Sequence, residues 1–278
     1  MGDLSDKTFF VTGANTGIGR ATAEALAQRG GKVVLACRSE SRTAPVVDDI
    51  IAKTDNKAVE FLALDLGDLD SVRTAAASFL ARDEPLHALI NNAGLAGKRG
   101  QTTAQGFELT FGVNHLGHFL LTTLLLDRLR QTGSTRVVNV SSDSHYSAKG
   151  IDFDDLRRPT KGVGLSEYAV SKLANVLFTQ ELARRVPATE VSAYSLHPGV
   201  IASDIWRSVP WPVRPIMRLF MKSTEEGAAT SLYCATSDEV AGQSGAFYVD
   251  CKRKDPNPVA TPELAQELWS RSEAWTAA

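Results

Sequence analysis

The chain is poor in cysteine. Cys37, Cys234 and Cys251 are odd in number and widely scattered, which excludes a disulfide framework and leaves no CxxC or Cys/His cluster at metal-ligand spacing. Excess charge is missing too: 30 basic against 32 acidic side chains leave a net charge of −2, and no global field draws the chain to nucleic acid or to an anionic membrane. No uninterrupted apolar run approaches the ~18 residues of a spanning helix, so no transmembrane segment is expected. The opening "MGDLSDKTFF" carries acidic residues where a signal peptide would carry an apolar core. Repeats, low-complexity tracts and Pro/Gly/Ser linkers are also lacking. The expectation is one domain over residues 1–278, soluble and housed in a reducing cytoplasm.

What is present is a rhythm of apolar, β-branched segments at 8–12, 32–36, 59–65, 87–91, 136–141, 191–197 and 246–250. The first six are nearly continuous in hydrophobicity, as strands covered on both faces are. Helical patterns fill 17–29, 69–81, 108–130 and 167–185, with Asp68 and Ser166 as expected N-caps. Together these predict an α/β fold with a doubly wound, seven-stranded parallel sheet and helices on both faces. The least regular stretch is 202–225, where three prolines interrupt an aromatic and basic run.

Directly after the first strand stands "VTGANTGIGR". A strand ending at Thr12, a turn with Gly13, Gly17 and Gly19, and a helix beginning near Ile18 form the start of a dinucleotide-binding βαβ unit. Bare backbone lets a pyrophosphate approach free N–H groups at the positive end of the helix. The spacing is GxxxGxG and not GxGxxG, so a plain strand-to-helix turn is the competing reading. At the end of the second strand, "LACRSESR" has Cys37 where an acidic residue would bond the ribose 2′-hydroxyl of NAD. Arg38, helped by Arg42, offers a fork for a 2′-phosphate, which favours NADP; the alternative for Arg38 is a solvated residue after a strand. Asp65 is placed to accept from an adenine amino group or, alternatively, to cap the next helix.

"YAVSK" sets Tyr168 and Lys172 on one helix face. A phenol of pKa near ~10 is a poor proton carrier at neutral pH, and a nearby ammonium is expected to draw it down toward the working range. "NVSSDS" and "NNAG" close two adjacent strands at the edge where open α/β sheets bind ligands. Ser142, in preference to Ser141, can hold a substrate oxygen. Asn114 in "GVNHLGHF" can bond backbone or water behind Lys172, or merely satisfy a local carbonyl.

With these motifs in order, the chain resembles the classical short-chain dehydrogenases/reductases. "TGANTGIG", "NNAG", Asn114, "SS", "YAVSK" and "HPG" match over almost its whole length. Through "ACRS", "VNHLGHFLLT", "VVNVSSDSH", "SKLANVLFTQELARR", "HPGV" and "SGAFYVDCK" it is similar to the retinol dehydrogenase-like subgroup. The resemblance implies a three-layer Rossmann fold and a catalytic tetrad of Asn114, Ser142, Tyr168 and Lys172. It assigns to the cofactor Gly13, Asn15, Thr16, Gly17, Ile18, Gly19, Arg38, Asp65, Leu66, Asn92, Ala93, Gly94, Asn114, Tyr168, Lys172, Pro198, Gly199, Val200 and Ser203. Ser203 stands where many members have Thr; the hydroxyl is retained. The implied activity is an NADP(H)-dependent oxidoreductase, a carbonyl reductase interconverting an alcohol with a ketone or aldehyde, Tyr168 being general acid or base. Membrane-bound retinol dehydrogenases carry an N-terminal anchor, whereas this chain begins almost at its first strand, an expectation against retinol as substrate.

The insertion "HYSAKGIDFDDLRRPTKGVGLSE" is expected to rim the substrate mouth. Residues 202–225 are expected to form a lid in which Trp206 and Trp211, with Ser142, meet a hydrophobic carbonyl. A subunit contact competes closely with that reading, and a membrane-facing surface is a weaker third. Helices 108–130 and 167–185 pair across a dimer in many relatives, so a homodimer is an open expectation. His115 and His118 lack a third ligand and read as packing or hydrogen-bonding residues, and no metal is expected. His145 reads as site rim, His197 as a brace for the cofactor loop, His87 as surface. Two rivals stand against this account: a non-catalytic dinucleotide sensor or scaffold, against which the intact tetrad weighs, and a nucleotide-sugar epimerase or dehydratase, for whose substrate domain there is little room.

Overall fold

Runs such as TFFVT and KVVLAC leave no polar face for water, so both sides of each strand must be covered. A computed structural model, describing residues 3–97, 99–161, 163–199 and 223–277, shows them doing so within one sheet. The strands are β1 Thr8–Thr12, β2 Lys32–Cys37, β3 Val59–Ala63, β4 Ala88–Asn91, β5 Thr135–Val140, β6 Val191–His197, β7 Phe247–Val249 and β8 Lys252–Lys254. Their spatial order is β3-β2-β1-β4-β5-β6-β7-β8. The helices are α1 Gly17–Gln28, α2 Glu40–Thr54, α3 Leu69–Leu80, α4 Leu109–Thr132, α5 Leu165–Arg185, α6 Thr224–Thr236 and α7 Pro262–Thr276.

Alternation along β1 shows the double winding. Phe10 enters a core with residues of α3, α4, α5 and α7, while Phe9 and Val11 enter a second core with α1, α2 and α6. Strand order reverses between β1 and β4, and the crevice beyond their carboxyl ends is where such sheets bind ligands.

The seven strands expected are present and parallel, but an eighth is added. β8 pairs antiparallel with β7, Val249 opposite Lys252. Asp250 and Cys251 turn the chain between them with φ of 50° and 59°, the positive values a tight two-residue hairpin requires. Neither residue is the glycine that usually marks such a turn, and the charged "KRK" has no apolar alternation to announce a strand.

Asp68 caps α3 as expected, accepting from Asp70 N at 3.0 Å. Ser166 does not cap α5. Gly164 does, at φ 73°, where a Cβ would lie 2.5 Å from the Gly97 carbonyl oxygen. α2, α6 and α7 were not expected; α2 even contains Pro45. α4 is long and apolar enough to cross a membrane by length and composition, yet it is mostly buried within the fold. α7 lies over α4 and α5: Trp269 packs against Phe119 and Phe178 at ring distances of 5.0 and 5.8 Å.

Candidate active site

The glycine loop is shaped by close approaches. A Cβ on Gly13 would sit 2.9 Å from Ala93 Cα, and one on Gly19 would collide with the Asn92 amide. Gly17, at φ 56°, faces open space with nothing within 4 Å. Thr16 is the N-cap of α1 but makes no side-chain cap bond, and no acidic residue occupies the first turn. Among the described residues no side chain bonds the N–H groups opening α1, from Gly17 through Ile18 and Gly19, beside a bare backbone, with Asn15 and Thr16 leading in. This cradle fits the pyrophosphate of a dinucleotide.

Burial pushes the Cys37 thiol up, opposed by hydrogen bonds from Thr43 and the backbone of Gly13 to Asn15, so it presents no charge at neutral pH. Arg38 follows as an exposed side chain that no hydrogen bond or ion pair engages among the described residues. Asp65 is not a helix cap, because Asp68 holds that position. Its Oδ1 instead accepts from Gly67 N at 2.9 Å, fixing the turn at the end of β3. Leu66 is buried, its backbone packed against Gly117 of α4.

"NNAG" closes β4 and is bolted to β1. Thr12 Oγ1 accepts from Asn92 N at 3.0 Å and Ala93 N at 2.9 Å, and Asn92 Nδ2 donates to Thr12 O at 2.8 Å. His118 completes the bolt: Nδ1 lies 3.0 Å from Asn114 O and Nε2 2.8 Å from Thr12 Oγ1. A carbonyl only accepts, so Nδ1 carries the proton and Nε2 receives the Thr12 hydroxyl. That neutral tautomer agrees with burial pushing His118 down to about 4. Neither His118 nor Thr12 was read as a site residue.

Asn114 lies in a π-helical segment, Gly112–Leu116, embedded in α4. Its Oδ1 accepts from Leu95 N at 2.9 Å, and its Nδ2 donates to Leu95 O at 2.9 Å and to Ser171 Oγ at 3.0 Å. Both amide hydrogens are spent on the protein. Gly94 is what brings Asn114 near Lys172: a Cβ there would meet Lys172 Nζ at 3.3 Å and Asn114 Oδ1 at 3.4 Å.

Lys172 Nζ donates to the Val140 carbonyl at 2.9 Å and stands 5.5 Å from the Tyr168 ring centre. Burial pulls Lys172 down to about 8. The expected lowering of Tyr168 is not seen in this structure. Burial pushes its phenol up to about 12, partly offset by the Ser142 hydroxyl. Desolvation outweighs the Ser142 hydrogen bond here. Ser142 is the serine that faces Tyr168, whereas Ser141 Oγ is consumed by Lys172 O at 2.7 Å.

His115 and His118 are buried hydrogen-bonding residues; His115 Nε2 lies 3.1 Å from Ser272 Oγ of α7. His145 is not an open rim residue but wholly buried beneath Ser142, its Nδ1 2.7 Å from Ser142 O. His197 Nε2 stands 3.4 Å from Asp143 Oδ2. His87 is not free surface, its Nδ1 accepting from Thr8 N at 2.9 Å. Pro198 and Gly199 follow β6, Gly199 at φ 93°. Val200, Ser203, Trp206, Trp211 and most of the expected 202–225 lid lie outside the described residues. The insertion after Ser142 borders a cavity of about 940 Å³ with Ala148, Ile151, Leu156, Val163 and Leu165 in its lining. Tyr168 and Ser142 are not among the lining residues, although Glu167, Ala169 and Val170 beside Tyr168 are.

The short chain dehydrogenase family model matches residues 7–211. Retinol dehydrogenase 12 of Mus musculus is 46% identical over 273 residues, spanning 97% of this chain and 86% of that protein. Retinol dehydrogenase 13 of Homo sapiens is 44% identical, over 97% of this chain and 84% of that protein. A crystal structure of an uncharacterized protein from Mycobacterium paratuberculosis superposes with a TM-score of 0.80 at 32% identity, covering 100% of this chain and 96% of that one. With its glycine cradle, its strand order and these relatives, the chain belongs to the short-chain dehydrogenase/reductase family of oxidoreductases, in the retinol dehydrogenase-like subgroup.

Proposed function

We propose that the chain is an NADP(H)-dependent oxidoreductase that interconverts a hydrophobic ketone or aldehyde with its alcohol. The observation that carries this reading is a chain of neighbours, Ser142 beside Tyr168, Tyr168 beside Lys172, and Lys172 with Asn114 against Gly94, whose neighbour Ala93 abuts Gly13 of a cradle for a dinucleotide. Gly13 to Gly19 would hold the pyrophosphate, Arg38 with Arg42 a 2′-phosphate, Asp65 the adenine, and Asn92 to Gly94 with Pro198 to Val200 and Ser203 the nicotinamide end. When bound, the nicotinamide supplies a hydride to the carbonyl carbon or takes one from the alcohol.

Ser142 orients the substrate oxygen, and Tyr168 delivers a proton to it during reduction. A phenol pushed up to about 12 is fully protonated at neutral pH, the form this role needs. Oxidation needs the reverse transfer, which Lys172, as an ammonium, favours by stabilising the phenolate. Trp206 and Trp211 are proposed to cover an apolar substrate. The relatives are named for retinol, so retinal heads the compounds to try.

The test is a panel of aldehydes and ketones, retinal included, assayed with NADPH and NADH. Turnover with a marked NADPH preference is expected, and Arg38→Asp should abolish that preference by roughly tenfold to a hundredfold in kcat/KM, the scale of one charge-assisted contact. Retention of the preference in Arg38→Asp would remove the 2′-phosphate contact from the account. No turnover with any compound would favour the sensor reading.

A further inference from the structure

The tetrad says what Ser142 does, but not what keeps it in place. Ser142 stands just beyond β5, where the ladder has ended, and caps the single 3-10 turn Asp143–Ser147. Within its own turn its hydroxyl makes long bonds, accepting from Ser144 N and donating to Ser144 Oγ, both at 3.2 Å. Its carbonyl, by contrast, is held twice. It accepts from His145 N at 3.0 Å and from His145 Nδ1 at 2.7 Å.

The His145 ring is fully committed. Nδ1 faces a carbonyl and must carry the hydrogen; Nε2 lies 3.1 Å from Asn257 N, which can only donate, so Nε2 is the bare acceptor. Asn257 returns the bond: its Nδ2 donates to His145 O at 2.7 Å and to Ala148 O at 2.8 Å, while its Oδ1 accepts from Val259 N at 3.1 Å. Both residues are buried, and Phe247 of β7 stands edge-on to the imidazole at 4.8 Å. Tyr146 adds a strut, its hydroxyl donating to Asp255 O at 2.5 Å. The turn behind Ser142 is thus fastened to the segment joining β8 to α7, more than a hundred residues away in sequence.

A surface turn needs no such fastening, and a buried imidazole with both nitrogens bonded to backbone has none left for proton transfer. We propose that His145 and Asn257 form a positioning pair that fixes Ser142 Oγ against Tyr168, acting on the substrate oxygen only through Ser142. This rests on the function proposed above.

The test is a double-mutant cycle, using a carbonyl that the wild type reduces with NADPH. His145→Ala should lower kcat by about tenfold to a hundredfold in the wild-type background and by less than about twofold when Ser142 is already Ala, because effects transmitted through one group do not add. The NADPH Kd should be unchanged in each variant. His145→Asn restores an N–H near the Nδ1 position and should recover part of kcat; Asn257→Ala should reproduce part of the loss from the other side of the bond. Where His145→Ala fails to fold, His145→Asn and Asn257→Ala, each with and without Ser142→Ala, complete the cycle. Equal losses in both backgrounds, or unaltered kcat, would overturn the pairing with Ser142. A wild type with no turnover would instead overturn the function reading and the positioning role with it, while 15N NMR of labelled histidine still reports whether His145 is the neutral Nδ1–H tautomer.

Discussion

Tyr168 and Lys172 are shifted by the same cause in opposite directions, because burial disfavours phenolate and ammonium alike. Lysine with a value of about 8 remains mostly charged at pH 7 and loses its proton just above. The kcat/KM for reduction, which reports free-enzyme groups, should therefore hold through neutral pH and fall above about pH 8. A pH profile checks this, and a flat profile to pH 10 would contradict it. His115 and His118 are pushed down by burial to about 3 and about 4. Their folded values lie below the unfolded one, so their contribution is present above about 6.5 and is lost as pH falls through that value toward the folded ones. The unfolding free energy from urea denaturation should drop between pH 7.5 and 5 by roughly 2 kcal/mol per histidine, and His118→Gln should remove about half of the combined drop. Gly94→Ala should lower kcat with little change in melting temperature, since its Cβ would press Lys172 Nζ and Asn114 Oδ1 and no apolar core. That Tyr168 and Lys172 share one helix face could be read from their spacing, and Lys172 Nζ does stand 5.5 Å from the Tyr168 ring. His115 and His118 were legible as packing or hydrogen-bonding residues, but not their complete burial, which depends on distant partners such as Ser272, 157 positions from His115.

At the scale of elements, residue patterns revealed the strands buried on both faces and the helices that bury a wide apolar stripe. α2, α6 and α7 escaped because their signals are local and mixed. α2 opens on "ESRTAP", with a proline in its second turn, and α6 begins at a capping box between Ser223 and Glu226, directly after an irregular run. α7 acquires its meaning only by packing. Trp269 is 5% exposed, seated on Phe119 and Phe178, and Arg185 lies over it at 4.5 Å. Trp269→Ala should cost about 3 to 5 kcal/mol in chemical denaturation, as for a large buried aromatic. A loss below about 1 kcal/mol would show that α7 is not an integral part of this core. The π-helical turn Gly112–Leu116 was likewise not foreseen, yet it aims Asn114 at Leu95 and Ser171.

For the whole molecule, double winding follows from chain chemistry: strands with no polar face demand helices on both sides, and right-handed crossovers place them there. The position of the chemistry follows in turn, since β1, β4, β5 and their following loops bring Gly13, Gly94 and Ser142 to one edge of the sheet. What sequence spacing did not reveal is how burial sets the proton affinities there. The central claim is that the Tyr168 hydroxyl is the proton carrier of a working oxidoreductase. Measuring NADPH-dependent carbonyl reduction and NADPH affinity side by side for the wild type and Tyr168→Phe tests it most directly. The account predicts a loss of at least about a hundredfold in kcat with an unaltered NADPH Kd, the upper part of the range for a general acid. Undiminished kcat in the phenylalanine variant would contradict it.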